Sequence, residues 1–221
     1  EPSGPSRGAI VAMAAACGVG AASVSYNQPM LGVMVRDLGG LASWVPTATS
    51  AGFSLGIFFL LPLSDIVERR TLIVLQLLVL AAALALAAAS PGVTVLLAAS
   101  AIMGLSACAA HQIVPFATSL APLERRGAVV GAVMSGLLCG LLLSRAVAGF
   151  VASHYGWRTM FWIAIPLALA AAGLMAAVLP RTGVLAKISY RTALASMIDL
   201  WREEPSLRRS ALTQATMFGS F

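Results

Sequence analysis

Charge is scarce in this chain. Asp, Glu, Lys and Arg together make up 10% of its 221 residues, while 59% are hydrophobic. A soluble domain of this length needs a far more polar surface, so the composition excludes an ordinary aqueous fold and points to lipid as the solvent. Cysteine is equally sparse. Cys17, Cys108 and Cys139 are far apart, lie inside long apolar stretches and lack metal-ligand spacing, which excludes a disulfide framework and a zinc cluster and leaves them as small packing residues. No Gly-x-x-x-x-Gly-Lys-Ser/Thr loop is present to cradle a nucleotide, so hydrolysis by that device is excluded and no cofactor or metal site is expected. Segments of about 10 residues alternating polar and apolar are also missing, which excludes a transmembrane β-barrel. The first apolar stretch is too long for a cleaved signal peptide, and no small-residue cleavage site leads from it into a soluble domain.

What remains is a series of six apolar stretches, at residues 9 to 35, 43 to 64, 71 to 89, 93 to 120, 127 to 152 and 157 to 179. A hydrocarbon core about 30 Å thick needs roughly 20 helical residues per crossing, so each is long enough to span it. The expected fold class is all-α, a polytopic six-helix transmembrane bundle occupying residues 1–180. Connections between the spans are short, so neighbouring helices run antiparallel. Residues 181–206 read as a polar linker in which Tyr190, Leu194, Met197 and Trp201 recur at helical spacing, the pattern of a helix lying in the membrane interface or on solvent. Residues 207–221 turn apolar again, as the start of a seventh crossing.

The formal net charge of +6 does not imply a nucleic-acid partner, because the basic residues sit at membrane edges. With the N-terminus in the cytoplasm, Arg7, Arg69, Arg70, Arg125, Arg126, Arg181, Lys187, Arg191, Arg202, Arg208 and Arg209 all fall inside and only Arg36 and Arg158 outside, 11 against 2. That asymmetry is the one set when positive loops are retained during insertion.

Function in such a chain is sought where polar atoms enter the hydrocarbon. In the first span, Ser23 and Asn27 share a face, Tyr26 and Gln28 flank it, and Pro29 removes a backbone donor. Asn27 is expected either to face a solute or, with Gln28, to join helices by hydrogen bonds. The fourth span contributes His111 and Gln112 before Pro115; His111 is suited to carry a coupling proton, or to bond a neighbouring helix as a neutral imidazole. Arg145 is the one permanent charge deep in a span, and it is expected to face an aqueous interior or to snorkel toward the outer interface. The pairs Gly52 with Gly56, Gly127 with Gly131 and Gly136 with Gly140 have the spacing that lets helix backbones approach closely.

Between the second and third spans, Leu63, Asp65, Arg69 and Arg70 stand at positions of the Gly-x-Leu-x-Asp-x-x-Gly-Arg-Arg signature of the major facilitator superfamily, with Leu61 and Glu68 replacing its glycines. The chain resembles that superfamily elsewhere too. Tyr26-Asn27-Gln28-Pro29-Met30-Leu31 is similar to a first-helix motif of one bacterial branch, Pro122-Leu123-Glu124-Arg125-Arg126-Gly127 to the loop between helices four and five, and Gly156-Trp157-Arg158 with Phe161-Trp162 to the entry of helix six. The resemblance implies the N-terminal half of a twelve-helix carrier, built as two inverted three-helix repeats, with a C-terminal six-helix half as its partner. It implies alternating access in a cell inner membrane around a central site for a small-molecule substrate, with Tyr26, Asn27, Gln28, His111, Gln112 and Arg145 as substrate-binding candidates. Asp65, Arg69, Arg70 and Glu124 would form a cytoplasmic charge latch. Proton-coupled efflux of drugs or metabolites is the leading expectation, and the alternatives are uptake of an organic anion drawn by Arg145 or a receptor that no longer transports. Two positions depart from the family: Arg145 replaces the proline of the antiporter signature in helix five, and Ser100 replaces the helix-four arginine tied to proton coupling.

Overall fold

The computed structural model describes residues 5–64, 66–180, 190, 192, 201 and 203–219. Asp65 and most of the expected linker helix lie outside the described residues. Helix α1 (Arg7–Ser25) and α2 (Asn27–Leu38) form the first span, α3 (Val45–Leu63) the second and α4 (Arg69–Ala88) the third. The fourth is made of α5 (Val93–Ala107) and α6 (Ala109–Leu120), the fifth is α7 (Arg126–Tyr155) and the sixth α8 (Trp157–Val178). A further helix, α9, covers Pro205–Gly219. Among the described residues, six helical stretches are therefore long and apolar enough to cross a membrane, each within a few residues of its expected position.

Local chemistry explains where these helices start and bend. The Ser6 hydroxyl accepts a hydrogen bond from the Ala9 amide at 3.2 Å and caps α1. Pro29 has no N–H to offer the Ser25 carbonyl four residues back, and the first span breaks at Tyr26. Gly39 (φ +85°) ends α2 and Gly156 (φ +83°) ends α7, two positions where a side chain would be strained.

The principal pairings are α1 with α7, α3 with α5 and α4 with α8. Numbered by spans, these are first with fifth, second with fourth and third with sixth. Exchanging the first three spans for the last three maps this set onto itself, which is the signature of an internal two-fold repeat. Because each repeat contains an odd number of crossings, the second starts on the opposite side of the membrane from the first and the repeats are inverted.

The same symmetry governs the close contacts. On α3, a Cβ at Gly52 would lie 1.9 Å from the Ala101 carbonyl oxygen, and one at Gly104 of α5 would lie 1.9 Å from the Thr49 carbonyl oxygen. On α7, a Cβ at Gly136 would meet the Ala14 carbonyl oxygen at 2.3 Å, and one at Gly140 would meet that of Gly18 at the same distance. Helices so close gain dispersion contacts along their backbones, which matters where lipid removes the hydrophobic drive for association. Gly127 and Gly131 differ: a Cβ at either has nothing within 4 Å. The sequence spacing therefore marked three pairs, of which two are helix contacts.

Candidate solute-binding face

Helices α2, α6 and α7 each leave side chains of the bundle uncovered. On α2 the exposed positions are Gln28, Pro29, Gly32, Arg36 and Asp37, of which Gln28, Gly32 and Arg36 form a stripe at helical spacing. On α6 they are His111, Pro115 and Ser119, bordered by the half-buried Val114 and Thr118. Both stripes border α7. A Cβ on Gly149 would be 3.6 Å from Pro29 Cβ, while Val114, Pro115, Thr118 and Ser119 share a cleft of about 510 Å³ with Arg126.

Arg145 is exposed on α7. It is one turn from Gly149 and so shares the side that meets α2. Leu143 and Val147, each two residues away and hence about 200° around the helix, line a separate apolar groove of α1, α7 and α8. Arg145 itself does not line that groove. His111, at the head of the α6 stripe, packs edge-on against Phe53 with ring centroids 5.3 Å apart.

The other candidates are buried. Asn27 is fully buried, and its Nδ2 donates to Thr49 Oγ1 at 2.6 Å, while that hydroxyl donates to the Val45 carbonyl at 3.0 Å. Gln112 is buried as well and donates from Nε2 to the Leu60 carbonyl at 3.3 Å. The two amides thus tie the broken spans, first and fourth, to α3. Their oxygens, Asn27 Oδ1 and Gln112 Oε1, accept no hydrogen bond from the described residues, and an unpaired buried acceptor costs about 1–3 kcal/mol. Tyr26 is turned the other way and lines the groove between α7 and α8.

Two polar residues of this interior escaped the sequence reading. Thr49, the partner of Asn27, looks like any other hydroxyl near a helix start. Gln76 is the sole amide in an otherwise apolar third span, a visible signal; it is buried and its Nε2 lies 3.6 Å from Cys108 Sγ, at the break of the fourth span.

At one end of the bundle, arginines hold helix termini. Arg69 Nε donates to the Ser64 carbonyl at 3.2 Å, and Arg126 Nε to the Ala121 carbonyl at 3.3 Å. Each cation sits where carbonyls at a helix C-terminus carry partial negative charge. Arg70 donates to the Ala176 carbonyl and so links α4 to the end of α8. Glu68 accepts from the Thr71 hydroxyl, and Glu124 is exposed. At the other end, Trp157 Nε1 donates to Asp37 Oδ2 at 2.9 Å, Arg158 lies 4.2 Å over the Trp157 ring, and its Nη2 donates to the Ser90 carbonyl at 3.2 Å. That cluster joins the first and sixth spans to the turn before the fourth.

The chain is similar to known carriers over nearly all of its length. The profile of the Major Facilitator Superfamily matches residues 9–220. The uncharacterized transporter YgaY of Escherichia coli K12 is 38% identical over 96% of this chain and 55% of its own length. The probable transporter SCO4007 of Streptomyces coelicolor is 31% identical over all of this chain and 52% of its own. Among solved structures, the human organic anion transporter MFSD10 superposes with a TM-score of 0.68 at 19% identity, covering 86% of this chain and 53% of that one. The chain spans about half the length of the curated relatives it matches. Six apolar spans in two inverted repeats, with a profile match running from the first span to α9, make this a multi-pass membrane protein, and it belongs to the Major Facilitator Superfamily.

Proposed function

We propose that this chain forms the N-terminal half of a secondary transporter that moves a small organic solute, a drug or metabolite, across the cell inner membrane by alternating access. The observation that carries this reading is that Gln28 on α2, His111 on α6 and Arg145 on α7 are all exposed within apolar spans. In a bundle whose remaining surface meets lipid, polar groups on one face are expected to line a wet passage closed by a second six-helix half. Asn27 and Gln112 then hold the walls of the passage from behind, through α3.

Export in exchange for protons is the direction and coupling we favour, with His111 as the proton-carrying group on this half. The N-terminus lies in the cytoplasm, and Asp65, Arg69, Arg70 and Glu124 form the latch that meets the second half on that side. The linker and the seventh crossing, residues 181–206 and 207–221, lead into that half. The test is flux through the full-length protein in proteoliposomes: substrate accumulates when a pH gradient is imposed and leaks back when an ionophore collapses it. Binding without gradient-driven flux would make the protein a receptor instead.

A further inference from the structure

Arg145 stands apart from the other arginines of the described spans in its depth: Arg36 donates to the Gly32 carbonyl near the end of α2, and Arg7 and Arg125 lie at the ends of their spans. Arg69, Arg70, Arg126 and Arg158 each donate to a backbone carbonyl at a bundle end. Arg145 lies ten residues from the end of a 30-residue helix and makes no hydrogen bond, ion pair or ring contact with any described residue. A guanidinium in hydrocarbon is costly and offers only donors. It needs an anion or water, and its side of α7 is the one that meets α2, opposite the groove shared with α8.

The surroundings define the rest of the ligand. Leu138 and Leu142 lie two turns and one turn before Arg145 on the same side of α7, and they are 51% and 67% exposed. Beyond the Gly149–Pro29 contact stands Gln28, an exposed amide able to donate and accept. One fork of five N–H donors beside a leucine surface is the complement of a planar oxyanion attached to an apolar body.

We infer that Arg145 is the oxyanion subsite of the transport pathway, and that the solute is an amphipathic organic anion, a carboxylate on an aromatic or aliphatic body. The inference rests on the proposed transport function and specifies its substrate class. Arg145 receives the carboxylate in a bidentate pair, Leu138 and Leu142 cover the apolar body, and the anion is released when the passage opens to water and the pair is hydrated.

The test uses the purified full-length protein and a panel of arylcarboxylates, 1-naphthoate among them, each matched with its neutral primary amide. Thermal stabilisation reports binding, and counterflow in proteoliposomes reports transport. Carboxylates are expected to stabilise the protein and their amides are not. Arg145→Gln should weaken carboxylate binding by about tenfold or more, the worth of a charge-assisted pair, and Arg145→Lys, which keeps the charge but loses the fork, should fall between. Equal binding of acid and amide, no binding by any carboxylate, or unchanged binding in Arg145→Gln would overturn the assignment. If Arg145 instead pairs with a carboxylate of the second half, Arg145→Gln will melt lower without any ligand while neither probe shifts the parent protein, which also overturns it. The two readings fail separately: gradient-driven flux of neutral solutes with no carboxylate binding removes the substrate class alone, whereas carboxylate binding without any counterflow removes transport alone.

Discussion

On α3, Gly52 and Gly56 lie so close to α5 that a Cβ at either would penetrate a backbone carbonyl, whereas on α7 Gly127 and Gly131 have nothing within 4 Å of that position. Spacing is the same in both pairs, although Gly127 follows the charged Arg125-Arg126. What differs is the opposing helix. Gly52 faces the Ala101 backbone in a contact that also contains Gly104, and Gly136 and Gly140 face a helix that offers Gly18, so small residues meet from both sides. Gly127 and Gly131 belong to the first two turns of α7, an exposed stretch of the helix. A small-residue ridge thus permits close approach, and a complementary ridge is needed to use it.

Substitutions that add one methyl sharpen this comparison. Gly52→Ala and Gly104→Ala should be the most damaging, because the carbonyl 1.9 Å away is backbone and has no rotamer to yield; we expect a loss at or above the ~3 kcal/mol end of the overpacking range in detergent unfolding. Gly140→Ala, with 2.3 Å to the Gly18 carbonyl oxygen, should cost about 1–3 kcal/mol by the same assay. A methyl tolerated at Gly52 would contradict the close approach of α3 to α5.

Smaller effects are expected from the polar contacts and from the open glycines. Thr49→Val removes the acceptor of the Asn27 amide at nearly constant volume and leaves a second unpaired atom on that side chain, a loss of about 1 kcal/mol. Asn27→Leu together with Thr49→Val should be less damaging than the separate losses added, because no donor is then stranded. Gly131→Ala in this chain should change stability by no more than about 1 kcal/mol, and in the favourable direction set by helix propensity. A loss as large as that of Gly52→Ala would erase the distinction between the two glycine pairs.

Much of the fold is legible in the sequence, because spanning a bilayer imposes a length and an apolar composition that few other structures share. The break at Tyr26 could be expected from Pro29, three residues on. The break at Cys108 could not, since Pro115 is seven residues away and the bend coincides instead with the buried Gln76 and Gln112 contacts to Cys108. Which amides are buried was also not written in the chain. Asn27 and Gln28 are adjacent, yet one is sealed against Thr49 and the other is exposed, because neighbours on a helix point about 100° apart and only the position of α3 decides between them. Pairing across the bundle, Trp157 with Asp37 included, likewise depends on which spans meet.

The central claim is that the α2, α6 and α7 face lines water while the α1, α7 and α8 groove meets lipid. Leu142 and Leu143 are neighbours on α7 with nearly equal exposure, 67% and 65%, yet only Leu143 lines the groove. The direct measurement is labelling of single cysteines by a charged methanethiosulfonate, in the full-length protein in membranes with Cys17, Cys108 and Cys139 replaced by alanine. Leu142→Cys and Gln28→Cys should react, and Leu143→Cys and Val147→Cys should stay inert. Labelling of Leu143→Cys with no reaction at Leu142→Cys and Gln28→Cys would contradict the account.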